Sequence, residues 1–121
     1  MFKKLLIVGC GLIGSSILRG SINKQISKKM FVYEKSKKNI SKIKKINSKI
    51  IILKKLDKKI SDIDIVVIST PMSQYERIIP SLNKFLSKKS VITDVGSTKQ
   101  NVLSLKNKKL NKSLVWISSH P

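Results

Sequence analysis

A chain of 121 residues is enough for one domain with a real core but short for a complete two-substrate enzyme. Its 26 basic residues against six acids give a net charge of +20, yet Arg19 and Arg77 are the only arginines and aromatics suited to base stacking are few, so the scattered lysines read as a solvated surface that attracts anionic ligands and not as a nucleic-acid site. The single cysteine, Cys10, excludes an internal disulfide, and no run approaches the ~20 apolar residues of a membrane span, so a soluble cytoplasmic protein with no membrane partner is expected.

The first strand is Leu5 to Val8, apolar throughout as in a strand buried on both faces. Preceded by two lysines and followed by Gly9-Cys10, it superficially resembles a lipoprotein signal. The run falls short of the ~7–15 apolar residues such a signal needs, and the signal reading is rejected. The strand instead runs into Gly9-Cys10-Gly11-Leu12-Ile13-Gly14, a Gly-x-Gly-x-x-Gly turn. Gly9 permits a sharp turn, Gly11 a close backbone approach to a pyrophosphate, and Gly14 tight packing of the next helix. Leu12, Ile13 and Gly14 open that helix, whose free N–H groups and positive dipole end suit phosphates. Ile13, Ile17, Leu18, Ile22 and Ile26 form its apolar stripe, predicting a helix to about Ser27.

Met30 to Tyr33 form a short second strand ending in Glu34, twenty residues past Gly14. A carboxylate there accepts hydrogen bonds from both hydroxyls of an adenosine ribose and repels a 2′-phosphate, which favours NAD over NADP. Lys35, Lys37 and Lys38 partly offset that repulsion, so NADP stays open. Ser36 is placed to cap a second helix with Ile40, Ile43 and Ile46 on its buried edge. Ile50 to Leu53 make a third strand, and Lys54 to Lys59 a polar connection with no clear helix.

Ile63 to Ile68 make the fourth strand, opening into Ser69-Thr70-Pro71, whose hydroxyls are candidates for cofactor contact. Ser73 is a candidate cap. Pro80 predicts a division into a short helix near Gln74–Ile79 and a second turn. Ser90 to Asp94 form a fifth strand, followed by a helix from Lys99 to about Leu110, and Leu114 to Ser118 form a sixth. Strands alternating with helices predict a Rossmann-type, doubly wound parallel sheet filling residues 1–121 as a single NAD-binding domain.

The only histidine, His120, and the serine after the fifth strand, Ser97, both follow strand ends where such sheets place ligands. Ser97 there can orient the imidazole, leaving its other nitrogen to take a proton; a helix-capping Ser97 and a structural His120 are the alternatives. A Gly-x-Ser-x-Gly elbow is missing, which argues against Ser/His/Asp hydrolysis, and no metal site is expected.

Taken together, the glycine turn, Glu34, Ser69-Thr70-Pro71, the run Thr93-Asp94-Val95-Gly96-Ser97-Thr98-Lys99 and His120-Pro121 resemble the nucleotide-binding part of prephenate/arogenate dehydrogenases. The Asp94–Lys99 run followed by His-Pro is the specific part, while the glycine turn is generic. The resemblance implies oxidative decarboxylation in tyrosine biosynthesis. A ring hydroxyl loses its proton to His120, hydride passes from the same carbon to NAD⁺, and departure of the ring carboxylate as CO₂ makes the ring aromatic. It also implies that Ser97 orients His120 beside the nicotinamide. Family members continue past His-Pro with a helical domain that dimerises and grips the substrate carboxylate, and the usual glycine before His-Pro is Ser119 here. The expectation is a truncated dehydrogenase that binds NAD weakly, does not turn over alone, and forms a homodimer only with that further domain. The competing expectations are a stand-alone NAD-binding module without activity and another oxidoreductase of the β-hydroxyacid dehydrogenase type.

Overall fold

A computed structural model describes residues 2–9, 12–47, 49–70, 74–87, 89–94 and 115–118. Six strands lie in one sheet: β1 (Phe2–Val8), β2 (Ser27–Tyr33), β3 (Ile51–Leu53), β4 (Ile65–Ile68), β5 (Val91–Asp94) and β6 (Val115–Ser118). Their spatial order is β3-β2-β1-β4-β5-β6, and every pair is parallel. This is the doubly wound order expected from the alternating pattern, with its switch point between β1 and β4.

The register brings the strand ends level. Val8 pairs with both Tyr33 and Ile68, Tyr33 with Leu53, Ile68 with Asp94, and Asp94 with Ser118. These strands therefore end level along one carboxyl edge.

Side chains on β1 alternate between two cores, as strand geometry requires. Leu5 and Ile7 pack with Leu18 of α1 (Leu12–Asn23) and Ile43 of α2 (Lys37–Ile46). Leu6 and Val8 face the other way, onto Ile78, Ile79 and Leu82 of α3 (Tyr75–Phe85) and Ile60 of a 3-10 turn at Lys58–Ile60. Helices thus cover both faces, and β1 is buried on each side. At the opposite edge, Asp64 Oδ2 accepts hydrogen bonds from the backbone N–H groups of Lys3 (2.6 Å) and Lys4 (3.0 Å). Its own backbone binds Lys4 and Val91, so one residue ties the starts of β1, β4 and β5 together. Nearby, the exposed Lys4–Asp62 pair holds the Asp62 carboxyl below the usual carboxylate range through that hydrogen bond.

Three sequence expectations are corrected. The first helix stops at Asn23, not near Ser27, because Gln25 takes a left-handed conformation (φ 51°) and closes the helix. Ile26 N–H reaches Ser21 O and Gln25 N–H reaches Ile22 O, the paired bonds of a helix-ending Schellman turn. The position usually taken by glycine is glutamine, so no local signal marks the stop. Released from the helix, the chain starts β2 at Ser27, three residues before the predicted Met30, and pairs Ser27 and Lys29 with Phe2 and Lys4.

The third correction concerns Pro80, which does not divide its segment: α3 runs through it without interruption. Proline removes one N–H and crowds the carbonyl four residues back. Pro80 itself is exposed, while Ile78, Ile79 and Leu82 are buried on the sheet, and that continuous apolar stripe outweighs the missing bond. Ser36 does cap α2, accepting a hydrogen bond from Asn39 N–H at 3.4 Å. The predicted helix Lys99–Leu110 and the cap Ser73 lie outside the described residues. Among the described residues no helix is long and apolar enough to cross a membrane, and no cluster of metal-ligating side chains occurs.

Because Pro80 costs α3 a hydrogen bond on its solvent side, Pro80→Ala is expected to stabilise the fold by about 1–2 kcal/mol, the propensity gain less the added freedom of the unfolded chain. Urea unfolding measures this, and an unchanged or lower midpoint contradicts it.

Candidate functional site

At the switch point the ends of β1 and β4 continue their ladder by one residue. Gly9 N–H donates to Tyr33 O at 2.8 Å and Ser69 N–H donates to Val8 O at 3.0 Å. Gly9 then turns with φ 80°, a backbone conformation that L side chains rarely adopt. There is no room for one in any case: a Cβ at Gly9 would lie 2.3 Å from Thr70 Cγ2. The glycine is required by the approach of the β4 loop as much as by the turn.

The two hydroxyls after β4 behave differently. Ser69 Oγ donates to the backbone carbonyls of Val8 and Gly9, so its proton holds the turn in place. Thr70 Oγ1 is buried and has no hydrogen-bond partner among the described residues. A buried hydroxyl left unpaired costs on the order of 1–3 kcal/mol. This one sits beside the glycine turn, in the lining of a cleft.

That cleft has a volume of about 390 Å³. Its floor comes from Gly9, Thr70, Tyr33 and Leu56, and one wall from Glu34 and Lys35. Glu34 is half-buried, and its Oε1 accepts hydrogen bonds from the backbone N–H groups of Lys35 (3.0 Å) and Ser36 (3.1 Å). The opposite wall is a face of α3. Gln74, Arg77, Ile78 and Ser81 have the i, i+3, i+4, i+7 spacing of residues stacked along one side of a helix.

The structure therefore brings together Gly9, Glu34 and Thr70 around one cleft, with Ser69 supporting the turn. Leu12, Ile13 and Gly14 form the first turn of α1. Gly11, Pro71, Ser97 and His120 lie outside the described residues, as do Cys10 and Lys99. Arg77 and the rest of the α3 wall were missed from the sequence. Gln74, Arg77 and Ile78 lie within the helix expected near Gln74–Ile79, and only Ser81 lies beyond the expected break; what the sequence does not mark is that this face lines the cleft.

The model of a known family, the prephenate dehydrogenase nucleotide-binding domain, matches residues 19–121. The chain belongs to this family. A prephenate dehydrogenase from Lactococcus lactis subsp. cremoris is 31% identical over 98% of the chain, which spans only 34% of that relative's length. Among solved structures, prephenate dehydrogenase from A. aeolicus, in complex with hydroxyphenyl propionate and NAD⁺, superposes with a TM-score of 0.80 at 28% identity, over 96% of this chain and 41% of that one. Synechocystis arogenate dehydrogenase shares the fold with a TM-score of 0.76 at 22% identity, over 98% of this chain and 40% of that one. Membership of the dehydrogenase family agrees with the resemblance carried by the Asp94–Lys99 run and His120-Pro121, and with the doubly wound sheet.

The Gly9–Thr70 contact sets a stability test. Gly9→Ala is expected to cost about 2–4 kcal/mol, from a left-handed alanine and from overpacking against the threonine methyl. Thr70→Ser deletes that methyl, so in the Gly9→Ala background it recovers the overpacking share, about 1–3 kcal/mol. A double-mutant cycle by chemical unfolding measures the coupling; strictly additive effects contradict the contact.

Proposed function

We propose that residues 1–121 form the NAD-binding domain of a prephenate or arogenate dehydrogenase, an enzyme of tyrosine biosynthesis. The observation that carries the reading is the cleft at the switch point, where Gly9, Glu34 and the unpaired Thr70 hydroxyl meet. These residues fit a dinucleotide. Gly9 leaves the turn bare of side chain for a close approach, and the N-terminal turn of α1 directs backbone N–H groups toward phosphates. Glu34, oriented by two backbone N–H groups, receives the adenosine ribose hydroxyls. Thr70 Oγ1 gains a partner that it lacks among the described residues.

NAD⁺ supplies a hydride acceptor at this edge of the sheet. The chain's own part in the chemistry is a proton transfer. In this reading His120 takes the proton of the substrate's ring hydroxyl, and Ser97 holds the imidazole so that its basic nitrogen faces that hydroxyl. What supports the pairing is the register: Asp94 and Ser118, partners at the ends of adjacent strands, lie at the same edge as Glu34 and Thr70, and Ser97 and His120 follow them closely in the sequence. The imidazole must be neutral to accept a proton, so activity falls as pH drops through its pKa, about 6.5 when unperturbed. Loss of CO₂ from the substrate needs no group from this chain. The chain spans about a third of its curated relative, and recognition of the substrate's carboxylates is assigned to the part of the family beyond it.

Calorimetric titration with NAD⁺ tests the cofactor reading. Wild type is expected to bind, and Glu34→Ala to weaken NAD⁺ about tenfold, the worth of a charge-assisted hydrogen bond. An unchanged melting temperature with saturating nucleotide overturns the assignment.

The proton-transfer reading has its own check. In a form of the protein that oxidises prephenate, His120→Asn is expected to leave NAD⁺ binding intact while reducing turnover by about 10²–10⁴-fold. A rate that stays flat from about pH 5 to 9 removes His120 as the base.

A further inference from the structure

The cleft contains more positive charge than its strand-end motif accounts for. Lys35 follows Glu34 on one wall, and Arg77 projects from α3 on the other wall; both are exposed. Two cations and one carboxylate therefore line the same cleft. That carboxylate is already engaged, since its Oε1 accepts two backbone hydrogen bonds from the turn. The chain as a whole carries +20. A guanidinium offers a planar fork of donors suited to a phosphate, and an ammonium adds a point charge beside it. Glu34 alone predicts rejection of a phosphorylated ribose; the local balance of charge predicts the reverse.

We propose that Arg77, together with Lys35, enables this cleft to take an adenosine ribose bearing a 2′-phosphate, so that the chain binds NADP as well as NAD. The inference rests on the reading of the cleft as the adenosine end of a dinucleotide site. Arg77 acts as a specificity residue supplied by the helix after β4, on the far side of the cleft from the acidic residue that ends β2. The added phosphate carries a charge of about −1.5 to −2 at neutral pH, so its binding is the more salt-sensitive of the two.

The experiment is titration of the 121-residue chain with NAD⁺ and with NADP⁺, at low and at physiological salt. The expected result is that NADP⁺ binds within about tenfold of NAD⁺ and weakens more steeply with salt. Arg77→Gln is expected to weaken NADP⁺ about tenfold or more while leaving NAD⁺ within about twofold, and Arg77→Lys to fall between. Retained NAD⁺ binding shows that each variant is folded. Binding of NAD⁺ without NADP⁺ by the wild type overturns the proposal and leaves the nucleotide site standing. Equal weakening of both nucleotides by Arg77→Gln also overturns it, because Arg77 then contacts a part common to both. Failure of both nucleotides to bind removes the underlying reading as well.

Discussion

Much of this molecule depends on how closely the loop after β4 approaches the turn after β1. Gly9 and Thr70 meet where no Cβ fits, and Ser69 locks the approach from behind by bonding the carbonyls of Val8 and Gly9. The contact is possible because β1 and β4 are adjacent and end level, Val8 opposite Ile68. Both residues line the cleft at the switch point. A side chain at position 9 would force the two loops apart and open the floor on which the ligand is to rest.

The sheet supplies the rigidity this contact needs. β1 is buried on both faces, Leu5 and Ile7 against α1 and α2, Leu6 and Val8 against α3 and the 3-10 turn. Asp64 ties together the starts of three strands at the other edge. At the amino edge Asp64 thus serves structure, its carboxylate and backbone bonded to neighbouring strands. The carboxyl edge holds the groups that line the cleft: a carboxylate oriented by backbone N–H groups, a buried hydroxyl with no partner among the described residues, and two exposed cations. This division of labour is the general logic of open parallel sheets, where ligands bind beyond the carboxyl ends of the strands.

Charge acts at two scales here. The +20 spread over the surface gives no shape to a binding site but raises the local concentration of anions. Within the cleft, individual groups would decide what is held: in the proposed reading Glu34 favours a ribose with free hydroxyls, and Arg77 and Lys35 oppose that preference. Only Glu34 and Lys35 are neighbours in the chain. Arg77 arrives from 43 positions after Glu34 through the packing of α3 on β4 and β1.

Several features were legible in the residues themselves. The four apolar residues of β1, the glycine after it, the acid at the end of β2 and the serine cap of α2 are each local patterns with a local physical cause. So was the alternation of elements, because a parallel strand pair requires a crossover and the apolar stripes mark where the helices lie. Other features were decided by residues distant in sequence. Gln25 ends α1 in a conformation that its side chain does not favour, because β2 must begin in register with Phe2. α3 continues through Pro80 because Ile79 and Leu82 are buried together on the sheet. With the helix unbroken, Ser81 joins Gln74, Arg77 and Ile78 in the lining of the cleft. Periodicity and motif spacing report what a segment prefers by itself; the energy of pairing and burial, which overrode those preferences at Gln25 and Pro80, exists only once the segments meet.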